Sequence, residues 1–163
     1  MKHILVPILL VVLLFPTLAF GETVDWNDLV VREGLHYKKF TEVPFTGKVT
    51  GDEQGSYKNG KREGPWVRHY DNGQLRYKGN YKDDKEDGPW VYYWNENGQL
   101  YYKGTFKDGK EDGPWVFYYY SGKLLSKGTY KNGKRHGPWV MYNDDGNVVD
   151  YFTGTFKDGV KVK

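Results

Sequence analysis

Four residue sets in this chain have the types from which catalytic or metal sites are built. Carboxylates group at Asp83, Asp84, Glu86 and Asp87, and again at Asp108, Glu111 and Asp112. A general acid–base pair needs two such groups in one pocket with separated pKa values. Here each group borders a turn and has a lysine beside it, Lys85 or Lys110, so turn chemistry accounts for their positions. His36, His69 and His136 are scattered, without the close pairing of a zinc site. The chain has no cysteine, and Ser56, Ser121 and Ser126 lie in no Gly-x-Ser-x-Gly elbow. Asn143-Asp144-Asp145-Gly146 is dense in oxygen ligands but lacks the spacing of a full calcium loop. Catalytic, cofactor and metal residues are not expected.

A fifth set, aromatic and basic, points to binding. Trp66, Trp90, Trp115 and Trp139 recur with Tyr77, Tyr102, Lys78, Lys103 and Lys127. Exposed rings attract cations through their π faces, and lysines attract anionic head groups in a salt-sensitive way. These nine residues are the candidate binding set. Against it stands a plain structural reading, in which the tryptophans are core residues that stiffen a sheet.

The spacing of the tryptophans says which elements hold them. Each ends a Gly-Pro-Trp tripeptide, at Gly64, Gly88, Gly113 and Gly137, with intervals of 24, 25 and 24 residues. A recurrence of that length marks one supersecondary unit copied in tandem. Two kinds of turn signal alternate within it. One is Asn59-Gly60, Asp108-Gly109, Asn132-Gly133 and Asp158-Gly159; the other is Asn72-Gly73, Asn97-Gly98, Ser121-Gly122 and Asp145-Gly146. Such dipeptides favour two-residue type I′ hairpin turns, and the Tyr, Trp, Phe, Val and Thr between them favour strands.

Two-residue turns predict a register. Asp108-Gly109 pairs Gly104 with Gly113, Tyr102 with Trp115 and Leu100 with Phe117, while Ser121-Gly122 sets Trp115 opposite Gly128. Trp66 falls opposite Gly79, and a three-residue loop at Glu96-Asn97-Gly98 sets Trp90 opposite Gly104. Each tryptophan is then expected between an aromatic or aliphatic residue and a glycine. Alternation puts the aromatic residues on one face and Lys78, Lys103, Lys127, Val91, Val116 and Val140 on the other. The predicted fold is all-β, an elongated single-layer antiparallel meander of tandem hairpins. Its aromatic face lacks a covering helix, so the sheet must curl, dimerise or accept a partner.

The first 21 residues stand apart. Lys2 and His3 precede the apolar run Ile4–Leu14, and Ala19-Phe20-Gly21 offers small residues for cleavage. This reads as a secretory signal peptide, residues 1–21, with a retained membrane anchor as the alternative. Residues 22–50 form an N-terminal segment with degenerate units, and residues 51–163 the repeat array. The expected location is periplasmic or extracellular. Without Lys2 the formal net charge falls from +3 to +2, near balance, which argues against nucleic acid.

The unit Tyr102-Lys103-Gly104-Thr105-Phe106-Lys107-Asp108-Gly109-Lys110-Glu111-Asp112-Gly113-Pro114-Trp115 resembles a MORN repeat, in the bacterial Gly-Pro-Trp variant often labelled as YwqK-type antitoxins. The resemblance covers Gly55–Lys163, and Arg32–Thr50 reads as degenerate units. It implies a hairpin array used for binding or scaffolding, with protein partners, self-association through an edge or face, or phospholipid head groups. The reading is a non-enzymatic, exported protein-binding module of the cell envelope, antitoxin-like in one form. The alternative is a head-group or glycan binder using the basic and aromatic face. Asp84 stands where a turn glycine is expected, and Leu125-Ser126 replace the aromatic before Lys127-Gly128, so both units are expected to be locally weaker.

Overall fold

The computed structural model describes residues 21–163, and the segment read as a signal peptide falls outside them except for Gly21. In chain order the strands are β1 (Glu22–Asp25), β2 (Leu29–Arg32), β3 (Leu35–Lys38), β4 (Gly47–Thr50), β5 (Glu53–Lys58), β6 (Lys61–His69), β7 (Leu75–Lys82) and β8 (Lys85–Glu86). They continue with β9 (Gly88–Tyr93), β10 (Leu100–Lys107), β11 (Lys110–Glu111), β12 (Gly113–Tyr118), β13 (Leu124–Lys131), β14 (Lys134–Met141), β15 (Gly154–Lys157) and β16 (Val160–Lys161). From β4 onward the strands pair antiparallel in the meander the turn signals predict, with the two-residue β8 and β11 pairing only with β7 and β10 while β9 and β12 carry the sheet onward. Among the described residues only β1 pairs in parallel, along β4, and β2–β3 form a separate hairpin.

The first class of turn is type I′ as expected. Asn59, Asp108, Asn132 and Asp158 have φ of 51°, each followed by a glycine at positive φ. Asp83 and Asp84 make the same turn without glycine, at φ 50° and 67°. This unit is tied down, contrary to the expected weakness. Asp84 Oδ1 accepts from the backbone N of Arg62 at 3.0 Å and from its Nε at 2.8 Å, and the guanidinium lies 3.8 Å over the Tyr81 ring.

The second class differs from the prediction. Tyr70 N donates to Gln74 O and Tyr119 N to Lys123 O, which closes three-residue loops, while Trp94 N donates to Gln99 O across four residues. Only the glycine of each loop has positive φ. That is the geometry of a loop ending in a left-handed residue, not of type I′, which needs two. The extra residue is absorbed by a slip of one in the pairing of the strands that flank each loop, between Arg68 and His69 and between Phe117 and Tyr118.

A second slip corrects the predicted pairing of Tyr102. Phe106 opposes Glu111 as expected, but Tyr102 opposes Phe117 and Lys103 opposes Val116, so the pairing moves by two between Glu111 and Val116. The cause is local. Gly64, Gly88, Gly113 and Gly137 all adopt positive φ, and the proline after each has no N–H to place in a ladder. The strand bulges there in every unit.

The outcome is a different neighbourhood for the tryptophans. On one side Trp66 pairs with Gly79, Trp90 with Gly104, Trp115 with Gly128 and Trp139 with Gly154. On the other side, where an aromatic or aliphatic partner was expected, there is again glycine. A Cβ built on Gly55, Gly79, Gly104 or Gly128 would fall inside the indole of Trp66, Trp90, Trp115 or Trp139 respectively. Three of the rings also donate Nε1–H to the carbonyl next to that glycine, at Asn80, Thr105 and Thr129 (3.1, 3.1 and 2.9 Å). The four indoles are only 1–3% exposed.

Edge-on rings flank them. Tyr57, Tyr81, Phe106 and Tyr130 meet successive tryptophans at 4.9–6.1 Å between centroids. Each such pair contributes about 0.5–1.5 kcal/mol beyond the area it buries. Val24, Phe45 and Val49 of the N-terminal segment join the same cluster as Trp66 and Trp90. The sheet thus covers its aromatic face with its own side chains. Replacing Trp115 by Ala is expected to lower unfolding stability by about 3–5 kcal/mol. Gly104→Ala, which displaces the indole, should cost about 1–3 kcal/mol. Denaturant unfolding checks both, and a wild-type midpoint for either variant would contradict this packing.

Candidate functional site

The predicted binding set is divided by the sheet. Trp66, Trp90, Trp115 and Trp139 are core residues with both ring faces occupied. Tyr77 is buried, and Tyr102 is half-buried and stacked on Tyr92 at 4.4 Å. Burial pushes the phenols of Tyr77 and Tyr102 up to about 12. Lys78, Lys103 and Lys127 are exposed on the opposite face. The nine residues therefore do not converge on one ligand, and the rings leave no open cage.

The lysine face has its own order. Successive strands carry Val67, Lys78, Val91, Lys103, Val116, Lys127 and Val140 directly opposite one another, an unbroken row over seven strands. A parallel row alternates proline with Asn80, Thr105, Thr129 and Thr155. Because the residues between these two rows, such as Gly79 and Gly104, face the aromatic side, shallow apolar grooves open between the rows on this face. One of about 300 Å³ lies at Gly79 and one of about 260 Å³ at Gly104. A wider cavity of about 660 Å³ near the type I′ turns is polar and mixed in charge, with Lys85, Lys107, Lys110 and Lys131 facing Asp108 and Asp112.

Two features escaped the sequence reading. Glu53 is buried at 4% exposure in the position that Tyr77 and Tyr102 hold in later units. It accepts from the Tyr77 hydroxyl at 2.8 Å, with Arg68 Nη1 at 3.7 Å. The signal was visible, since Glu53-Gln54-Gly55 aligns with Tyr77-Lys78-Gly79. The second is His36, which packs between Trp26 and Tyr57 at 5.8 and 4.5 Å. Ser126, which replaces the aromatic of other units, is also buried, between its cross-strand partners Phe117 and Met141. Among the described residues no group of three His, Cys, Asp or Glu is placed to hold a metal.

With this geometry in view, residues 62–83, 87–108 and 111–132 match the family described as the MORN repeat variant. These hairpins are MORN repeat variant units. The matched segments take in three of the four Gly-Pro-Trp strands, and the fourth, at Trp139, repeats their packing. No curated protein matches the chain. MORN arrays are repeat proteins of a broadly non-enzymatic kind that bind membranes or proteins.

The setting of His36 makes stability depend on pH. Burial lowers its pKa from the ordinary 6.5, so below that value the unfolded chain takes up the proton first and folding weakens. Melting temperature should fall between pH 7.5 and 6, and His36→Gln should flatten that slope. An unchanged slope in the variant would contradict the assignment.

Proposed function

We propose that this protein is a non-catalytic, exported binding scaffold that recognises a protein partner through its valine–lysine–proline face. One observation carries the reading. The aromatic face is consumed by its own packing, whereas the other face repeats half-buried valines alternating with exposed lysines across seven strands. A repeat array offers equivalent residues at every unit, which suits an extended ligand better than a single reacting atom. The apolar grooves favour a polypeptide over a lipid surface, because head groups would use the lysines and leave the grooves unfilled. Immunity against an envelope-directed toxin is one form such binding can take.

The test uses residues 22–163 as bait in envelope extract. The wild type should retain one protein in near-stoichiometric amount, and Val91→Asp with Val116→Asp should lose it without a change in melting temperature. Recovery of no protein, or equal recovery by the variant, would overturn the reading. Salt-sensitive association with anionic liposomes that disappears in the Lys78, Lys103 and Lys127→Glu variant would move the assignment to head groups.

A further inference from the structure

The grooves differ from ordinary surface roughness in their regularity. Around the backbone of Gly104 stand Pro89, Val91, Pro114 and Val116, with Lys103 and Thr105 between them. Around Gly79 the same places hold Pro65, Val67, Pro89 and Val91, with Lys78 and Asn80 between them. The register sets the same types around Gly128, with Lys127 opposite Val116 and Val140, and Thr129 opposite Pro114. Successive grooves are two strands apart, so their spacing is about 9.4–9.8 Å.

That distance selects among extended ligands. A β-strand laid across the array repeats its side chains on one face every ~6.8 Å and falls out of step. An α-helix repeats every ~5.4 Å. A polyproline II helix has three residues per turn at ~3.1 Å each, hence about 9.3 Å per turn. One residue in three then faces the sheet and meets one groove after another. Its backbone makes no internal hydrogen bonds, so its carbonyls are free to accept from Asn80, Thr105 and Thr129 along the proline side of the grooves. On the other side stand Lys78, Lys103 and Lys127, which call for acidic residues at the intervening positions.

Resting on the binding face assigned above, we propose that the grooves at Gly79 and Gly104, continued by the equivalent register position at Gly128, bind an acidic, proline-rich segment in polyproline II conformation. The segment runs across the strands and seats one proline ring in each groove, with its carboxylates against the lysine row. Proline rings suit the cavities because they are compact, apolar and already fixed in conformation, which lowers the entropy lost on binding.

The test is fluorescence polarisation with a labelled twelve-residue peptide of four Pro-Pro-Glu triplets and the full mature chain. Binding should be saturable and weaken with salt. A peptide of four Pro-Pro-Lys triplets and one of six Pro-Glu pairs, which lacks the three-residue period, should each bind at least about tenfold more weakly. The Val91→Asp, Val116→Asp variant should lose at least about tenfold, and so should the triple lysine-to-glutamate variant, with melting temperatures unchanged. No saturable binding of the Pro-Pro-Glu peptide overturns the proposal, as does equal binding by the valine variant. If the envelope partner is still captured through Val91 and Val116 while the peptide fails, the ligand class falls and the binding face stands. If the partner is captured independently of both valines, the face itself is wrong.

Discussion

The contact between an indole and the backbone of a glycine is what this sheet depends on. A strand residue with a Cβ would hold the ring away from the main chain. Glycine lets it lie flat, with its Nε1–H on the neighbouring carbonyl, as Trp115 does over Gly104 and Thr105. Large rings packed this way bury themselves without a second layer, which is how an open sheet reaches core burial at Trp66, Trp90, Trp115 and Trp139. Each ring covers the glycine of the strand before it, so stability passes from unit to neighbouring unit as in other repeat proteins. The exception is informative. Trp66 Nε1 has no partner, and Trp66 belongs to the unit in which Glu53 replaces the usual tyrosine.

The same tripeptide shapes both faces. Glycine at positive φ and proline without an N–H create the bulge that moves tryptophan opposite glycine. The proline ring itself stands on the far face and walls the grooves at Gly79 and Gly104. A residue triplet that serves packing on one side therefore builds a periodic surface on the other. The loops add their own inter-unit ties, with Tyr70 donating to Tyr93 O and Tyr119 to Tyr142 O, both at 2.8 Å. These bonds keep successive units in step, and the spacing of the outer grooves follows from that.

Much of the architecture was legible because turn chemistry and alternation are local. Asn59-Gly60 and Asp108-Gly109 form the turns their sequences demand, and the pairing of Trp66 with Gly79 followed from counting. What counting missed was non-local or additive. The slip of two after Glu111 depends on a bulge that Gly113-Pro114 permits but does not announce. The slip of one after Phe117 cancels a longer loop, so the two errors were invisible in the final register. The candidate site was less legible, because residue type alone cannot show that a tryptophan is covered on both faces. Lys78, Lys103 and Lys127 were placed on the correct side, yet the grooves between them are walled by prolines and valines of three strands, whose juxtaposition depends on the bulged register.

The most direct measurement of the central claim is hydrogen exchange of the indole Nε1–H groups of Trp90, Trp115 and Trp139, followed by NMR. The account predicts that all three exchange only with global unfolding, and that their resonances hold position when a ligand occupies the opposite face. Rapid exchange of these protons in the native protein, or ring shifts showing that a ligand lies on the indoles, would contradict it.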